Sequence, residues 1–304
     1  MDRDETLRVL DDLGVDARYV TVTPGKIYPL NPRRAKLTSS RIEELKAEGV
    51  KVVRSKVLEK ISSRVHSTVT EHGLFQPKER VVLGLSGGKD SLTCALIMEP
   101  LSRRLGLEVK AVLVETRLQG EPVWGEEGSK ICRDIADALG FDFEYVKPEE
   151  DVGELAEEND ESPCLICSLL RRRELRRFAP KIVLGHTLDD LVTTALVSAV
   201  KGEGFDVLSP VDELEGMRSD YVDFDFPPTT VVRPLLRVPE VWTERVPEET
   251  GLPVFEADCP YSKRYATTLR GRVHHALEWM ALEVGIDREE LLDRFHASLE
   301  KGTG

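Results

Sequence analysis

Three groups of residues in this 304-residue chain have side chains and spacings suited to chemistry. The first is Leu85-Ser86-Gly87-Gly88-Lys89-Asp90-Ser91, which follows the apolar run Val81–Leu85 and opens a helical pattern reaching Leu105. A strand, a tight glycine turn and a helix start aim several backbone N–H groups at one point, and the helix dipole favours an anion there. Gly87 and Gly88 permit close backbone approach, Ser86 and Ser91 offer hydroxyls, and Lys89 brings a positive charge. The spacing is not that of a Walker A loop. The second group, Gly185-His186-Thr187-Leu188-Asp189-Asp190, also joins an apolar run to a helical pattern. Its paired carboxylates suit Mg2+ held against phosphates, or polarisation of a reacting group. Asp189 is equally suited to cap a helix, and Asp190 to answer its dipole. The third group is Pro163-Cys164-Leu165-Ile166-Cys167 at a helix start, with Cys259 in Asp258-Cys259-Pro260-Tyr261-Ser262. Inside a cell such a CxxC serves as a redox dithiol, half of a zinc site or part of an iron–sulfur site. Three thiolates would leave one iron of a four-iron cluster without a protein ligand.

The elements that must position these groups are legible from Arg80 onward, where short β-branched runs alternate with helical ones and predict a parallel α/β sheet. The predicted strands are Arg80–Leu85, Val109–Glu115, Asp142–Val146, Lys181–Gly185 and Thr230–Val232, with a short strand-like run before Cys259. Helices are predicted at Ser91–Leu105, Ser129–Leu139, Cys167–Phe178, Asp189–Val200, Ala266–Val284 and Arg288–Lys301. Residues 203–229, with Gly, Pro and acidic residues, read as a surface loop, and Pro247 is expected to kink or end the helix after Pro239-Glu240. Residues 1–75 are charged, with helical stretches at Glu5–Leu13, Ser40–Glu48 and Arg54–His66 around a Pro/Gly-punctuated stretch, Pro24–Pro32. The expected division is an N-terminal region over 1–75, a catalytic domain over 76–285 and a C-terminal helix over 286–304. Cys94 and Cys132 sit in apolar helical patterns and belong to the core. Neighbours in a helix do not share a face, so His274-His275 reads as surface or packing. Arg171, Arg172, Arg173, Arg176 and Arg177 crowd one helix, and Arg264, Arg270 and Arg272 follow Cys259. Beside a phosphate loop such a face suits phosphate or RNA backbone; elsewhere it is a solvated surface.

Composition excludes several classes. With 40% hydrophobic and 32% charged residues the chain is neither disordered nor fibrous, and its length suits about two domains. No apolar run approaches the roughly 20 residues of a membrane span. The first residues, acidic and amphipathic, do not read as a secretory signal, so a cytoplasmic location is expected. A net charge of −13 disfavours nonspecific binding to a polyanion but leaves room for a local basic face. Five cysteines, an odd number, argue against a disulfide framework.

Ser86–Ser91 resembles the SGGxDS loop of the PP-loop, or N-type, ATP pyrophosphatases, which cleave ATP between the α and β phosphates and adenylate a substrate. The set SGGKDS, PCxxC with an Arg-rich helix, GHxLDD, Val232-Arg233-Pro234-Leu235 with Pro239-Glu240, and CPYS resembles the TtcA/TtuA tRNA 2-thiolation family over about residues 75–285. The resemblance implies an α/β PP-loop ATPase fold of the adenine nucleotide alpha hydrolase type, a parallel sheet flanked by helices with a small α-rich or α+β N-terminal region. It implies an ATP-dependent sulfurtransferase that adenylates a nucleobase carbonyl of tRNA and inserts sulfur, with ATP, Mg2+ and a 4Fe-4S cluster as cofactors. Cys164, Cys167 and Cys259 become the cluster ligands; Leu85, Ser86, Gly87, Gly88, Lys89, Asp90, Ser91, Gly185, His186 and Asp189 contact ATP; Asp190 and Arg171 are the catalytic candidates. Partners are tRNA and a sulfur donor, either sulfide or a sulfur-carrier protein, and the family resemblance includes a homodimer. Three departures stand out. Arg171 occupies a position where many relatives have Lys, and an arginine keeps its charge, so only an electrostatic role transfers. Thr193 stands where relatives often carry Glu or Gln. The flanking zinc-binding pairs are missing, because residues 1–75 and 285–304 contain no cysteine. The competing readings are a PP-loop enzyme with a non-tRNA acceptor, a cysteine persulfide as sulfur carrier, and a nucleotide- and cluster-binding partner without turnover.

Overall fold

In the computed structural model, which describes residues 1–215, 217–219, 224–262 and 267–302, a small sheet and a large one lie against the same helix. Residues 1–52 build the first: α1 (Arg3–Asp12), β1 (Val20–Thr23), β2 (Lys26–Pro29), α2 (Ser39–Ala47) and β3 (Lys51–Val52). Asp2 and Glu5 close the start of α1 as a capping box. β1 and β2 run antiparallel and β3 lies parallel to β2, around a core that includes Leu10, Val22, Ile27 and Leu45. The stretch read as punctuation is this hairpin. Pro24-Gly25 is its two-residue turn, Gly25 takes the positive φ of 64°, and the flanking β-branched run is a strand.

The larger unit continues with α3 (Lys56–Glu71), β4 (Arg80–Gly84), α4 (Lys89–Leu105), β5 (Glu108–Val114), the small pair β6 (Arg117–Leu118) and β7 (Glu121–Pro122), α5 (Gly125–Leu139) and β8 (Asp142–Val146). It then runs through α6 (Val152–Glu158), α7 (Pro163–Arg176), β9 (Lys181–Val183), α8 (Leu188–Lys201), β10 (Val211–Leu214), β11 (Met217–Ser219), β12 (Phe224–Phe226) and β13 (Thr229–Val232), ending with α9 (Glu240–Thr250), α10 (Leu269–Val284) and α11 (Arg288–Gly302). The sheet order is β10-β13-β9-β4-β5-β8, with β10 antiparallel at the edge and the other five strands parallel. Fully buried apolar strands such as Val81–Leu83 and Ala111–Val114 mark a sheet covered on both faces. From β4 the chain moves outward through β5 and β8, then returns to place β9 on the other side of β4. The β4/β9 pair, registered Val81 to Lys181 and Leu83 to Val183, is therefore the topological switch point where α/β sheets bind ligands.

Two expectations need correction. Residues 203–229 are not one loop: β10 pairs with β13, and β11 with β12, a composition of acidic and proline residues being what an edge tolerates. Pro247 does not end α9, which continues to Thr250 and stops at Gly251 in the left-handed region. Residues 251–259 form no strand, although Phe255 N–H donates to the Gly87 carbonyl at 2.9 Å.

The N-terminal unit is fastened to α4. Glu99, fully buried, accepts from Arg3 at 2.5 Å, from Arg103 at 2.6 and 2.9 Å, and from the Val22 N–H at 3.1 Å. Arg103 also donates to the carbonyls of Ala17 and Val20, both at 2.9 Å. α3 packs Val57, Leu58, Ile61 and Val65 into the main core. Cys94 and Cys132 are buried there as expected, and burial pushes both thiols up to about 12.

Candidate functional site

β4 delivers the phosphate loop to the sheet edge, where the Leu85 N–H still bonds the Val112 carbonyl at 2.9 Å. Gly87 then adopts φ 78°, a conformation that glycine takes without steric cost. A Cβ there would lie 3.1 Å from Cys132 Sγ and 3.2 Å from Phe255 Cβ, so the position is also sterically closed. Gly88 is the N-cap of α4 and offers no side chain to the first-turn amides. The Ser86 and Ser91 hydroxyls face each other at 3.2 Å. Lys89 pairs with Asp90 at 3.1 Å and with Glu240, the first residue of α9. Asp90 in turn accepts from the Thr243 hydroxyl on α9.

β9 delivers the second loop beside the first. A Cβ on Gly185 would stand 3.0 Å from the Asp90 carbonyl oxygen, so the second loop touches the start of α4 backbone to backbone and any larger residue would have to push them apart. Asp190 accepts from the Thr187 N–H at 2.9 Å, from the Thr187 hydroxyl at 3.2 Å and from Arg270 at 2.8 Å. Asp189 turns away: it accepts from the Glu240 N–H at 2.7 Å and from Arg288 at 2.8 Å, and its burial raises its carboxyl pKa despite Arg288. It therefore caps α9 and not its own helix. His186 has its Nδ1 sealed from solvent without a partner, and burial lowers its pKa to about 4 against the opposing pull of Asp190. Arg233, Arg270 and Arg171 act on the ring in the same direction as burial. Thr193 is also buried with its hydroxyl unpartnered. His274, expected to be surface or packing, joins Asp189 and Glu240 in the one trio of candidate metal-ligand atoms found among the described residues within 4.8 Å of one another. Arg288 and Lys89 already supply positive charge to its two carboxylates.

The cysteines come together from two segments. Cys164 and Cys167 lie on the first turns of α7, and Cys259 follows Phe255 by four residues, within about 14 Å of chain. Burial raises the Cys164 thiol pKa, with Cys167 and Cys259 adding to the effect and Arg270 opposing it. Burial likewise raises Cys259, with Cys167 adding and Arg171 opposing. Cys164 Sγ lies 3.9 Å from the Tyr261 carbonyl, two residues beyond Cys259, so the two segments meet, although the three sulfurs do not all lie within 4.8 Å of one another. The donor set fits a 4Fe-4S cluster: three sulfurs, two flanking guanidinium charges and a hydroxyl, Thr116, 3.3 Å from Cys167 Sγ.

Residues that local sequence did not single out join this cysteine group to the phosphate loop. Trp124 donates through Nε1 to the Ser86 carbonyl at 2.8 Å, and the Arg171 guanidinium lies over the Trp124 ring at 5.5 Å. Trp124 is itself held by Glu115, a buried carboxylate that accepts from the N–H groups of Thr116, Val123, Trp124 and Gly125 at 2.9 to 3.1 Å and from the Tyr145 hydroxyl. Of the arginines on α7, Arg173 and Arg177 pair with Glu174 and Arg176 binds the Pro228 carbonyl, so only part of that crowd faces the site. Arg270 reaches Asp190, whereas Arg264 lies outside the described residues. A cleft of about 740 Å³ opens beside Pro163 and Tyr261, between the β6–β7 pair, α6 and Asp258.

A mostly parallel α/β sheet with a glycine loop and an open helix N-terminus at its switch point is an architecture shared by nucleotide-binding proteins. The chain belongs to the PP-loop domain family, which it matches over residues 57–277, and membership implies that it binds ATP. A probable sulfurtransferase of Methanocaldococcus jannaschii is 30% identical over 89% of this chain and 88% of that protein. The tRNA-cytidine(32) 2-sulfurtransferase of Pelobacter propionicus is 30% identical over 75% of this chain and 81% of its own length. The solved U34-tRNA thiolase NcsA from Methanococcus maripaludis, with its 4Fe-4S cluster, shares the fold at a TM-score of 0.59 and 19% identity, over 80% of this chain and 79% of that one. Among the described residues no helix is long and apolar enough to cross a membrane.

Proposed function

We propose that the protein is an ATP-dependent tRNA sulfurtransferase that converts a nucleobase carbonyl to a thiocarbonyl. The observation that carries this reading is the bridge Ser86–Trp124–Arg171, which joins a phosphate loop to three converging cysteines. Sulfurtransferase relatives matched along most of their length support the same chemistry. In the proposed reaction the carbonyl oxygen of the base bonds to the α-phosphorus of ATP and pyrophosphate leaves. Sulfide then adds to the activated carbon, the carbon–oxygen bond breaks, and AMP departs with the oxygen.

Ser86–Ser91 hold the phosphates through backbone N–H groups, the serine hydroxyls and Lys89, which must exchange Glu240 for phosphate as ATP enters, while Leu85, its N–H kept by the sheet, anchors the loop. A 4Fe-4S cluster on Cys164, Cys167 and Cys259 would supply an iron with one position left for sulfur. Arg171 stabilises negative charge between the two centres and, as an arginine, accepts no proton. Asp190 is held in place by Thr187 and keeps Arg270 turned to the crevice. Gly185 seats the second loop against the first, and His186, neutral at pH 7, lines the join. The residues do not fit a protein-held Mg2+: both Asp190 oxygens are engaged, and Asp189 is committed to α9 and Arg288. Anaerobic incubation of cluster-loaded protein with tRNA, ATP, Mg2+ and sulfide should yield a thionucleoside by mass spectrometry, with AMP release. Loss of the product in Cys259→Ser with ATP binding retained is expected; undiminished thiolation by that variant would refute the reading.

A further inference from the structure

A second cavity, of about 190 Å³, lies where the N-terminal unit meets α3 and the C-terminal half of α4. Its floor is apolar, made by Val65, Val69, Ile97 and Leu101. Its rim carries Arg34, Arg104, His66 and Tyr19, with the Arg34 guanidinium 5.6 Å over the tyrosine ring. A third arginine there, Arg18, is answered by Asp16 at 2.6 Å. Arg34 and Arg104 have no carboxylate partner among the described residues. His66 lines the same cavity as both arginines, and its pKa is lowered by burial and further by the charges of Arg104 and Arg34. Glu59, the one carboxyl in the lining, has its pKa raised by burial.

On a chain of net charge −13, two arginines without acidic partners turned toward one small cavity form a local reversal of sign. An apolar floor with an aromatic and arginines at its mouth is the chemistry that takes a base by its face and a phosphate by its charge. The volume suits a single base, with its phosphate held out at the rim. We infer that this cavity is a second RNA contact, taking one nucleotide of the tRNA with its base on the apolar floor and its phosphate between Arg34 and Arg104. The inference rests on the tRNA reading proposed above. From Lys89 to Arg104 α4 rises about 22 Å, so a mononucleotide at one site does not reach the other, whereas an RNA lying along the helix touches both.

The test compares the full chain with the Arg34→Ala/Arg104→Ala variant, both substitutions being at exposed side chains. tRNA affinity is measured over a salt series, alongside ATP affinity and thermal midpoint. The variant is expected to bind tRNA about tenfold more weakly, with the slope of log affinity against log salt reduced by about one to two, and with ATP affinity and midpoint unchanged. Wild-type binding and thiolation of tRNA with no change of affinity or slope in the variant would overturn the inference alone, and would leave an acidic protein segment as the occupant to test. A wild-type protein that neither binds nor thiolates tRNA would overturn both readings.

Discussion

Two strand-to-helix crossings face each other at the β4/β9 pair, and they finish in opposite ways. At the first, Gly88 caps α4 with no side chain, leaving its end for an outside anion. At the second, Asp190 binds the Thr187 N–H and hydroxyl, and the Leu188 N–H bonds the Val238 carbonyl at 2.9 Å. The acidic pair that looks like a ligand set is thus largely spent on structure, and the first-turn amides left open for an anion are those of the glycine crossing. The second crossing acts as a frame: Gly185 braces the first loop, and Asp189 fixes the start of α9, from which Glu240 holds Lys89.

The sharpest way to break this contrast is Gly88→Asp. Gly88 has φ −71° and ψ 162°, and a Cβ there meets nothing nearer than 3.8 Å, so aspartate fits and caps the helix. Helix capping should leave the thermal midpoint unchanged or slightly higher, while a carboxylate in the anion seat weakens ATP binding at least about a hundredfold by titration calorimetry. Retained ATP affinity would mean that the phosphates bind elsewhere.

A second measurement sharpens the sealed character of the other crossing. The folded pKa of His186, about 4, lies below its ordinary value of 6.5, so its contribution to stability is complete above about pH 6.5 and is lost as pH falls toward 4. Urea unfolding between those limits should show an acid-side slope of about 1.4 kcal/mol per pH unit beyond that of His186→Gln. Equal slopes would show the crossing open to water.

The smallest effect is expected from Asp190→Ala. Loss of the cap costs about 1 kcal/mol and lowers the thermal midpoint by about 2–4 °C. ATP affinity should change less than about threefold; a loss as large as that at Gly88 would assign phosphate contacts to both crossings.

The sheet was legible because its strands are short β-branched runs at regular intervals, and Asp142–Val146 matches to the residue. The loop and the cysteines were legible because their chemistry is local in the chain. What escaped is non-local. Asp189 reads locally as the cap of the helix it begins, but its partner N–H lies 51 residues away. Nothing near Glu115 in sequence announces that its carboxylate will gather the amides leading to Trp124, and the Tyr145 hydroxyl that completes the set is 30 residues on. The hairpin at Pro24-Gly25 was hidden by the dual meaning of those residues, which mark loops and hairpin turns alike. Phe255 sits in a segment with no secondary structure, where periodicity has nothing to report.

The carboxylate of Glu99 imposes an order of events during synthesis. Arg3 is made 96 residues before the partner it will neutralise, an interval of about 5–20 s at typical ribosome speeds. Through that time the N-terminal unit has neither Glu99 to receive its arginine and the Val22 N–H, nor Arg103 to cap the carbonyls of Ala17 and Val20. These bonds close only once the helix that begins at the phosphate loop has been made. A gene fusion or truncation that separates the two would leave Arg3, the Val22 N–H and the carbonyls of Ala17 and Val20 without these partners in the finished protein.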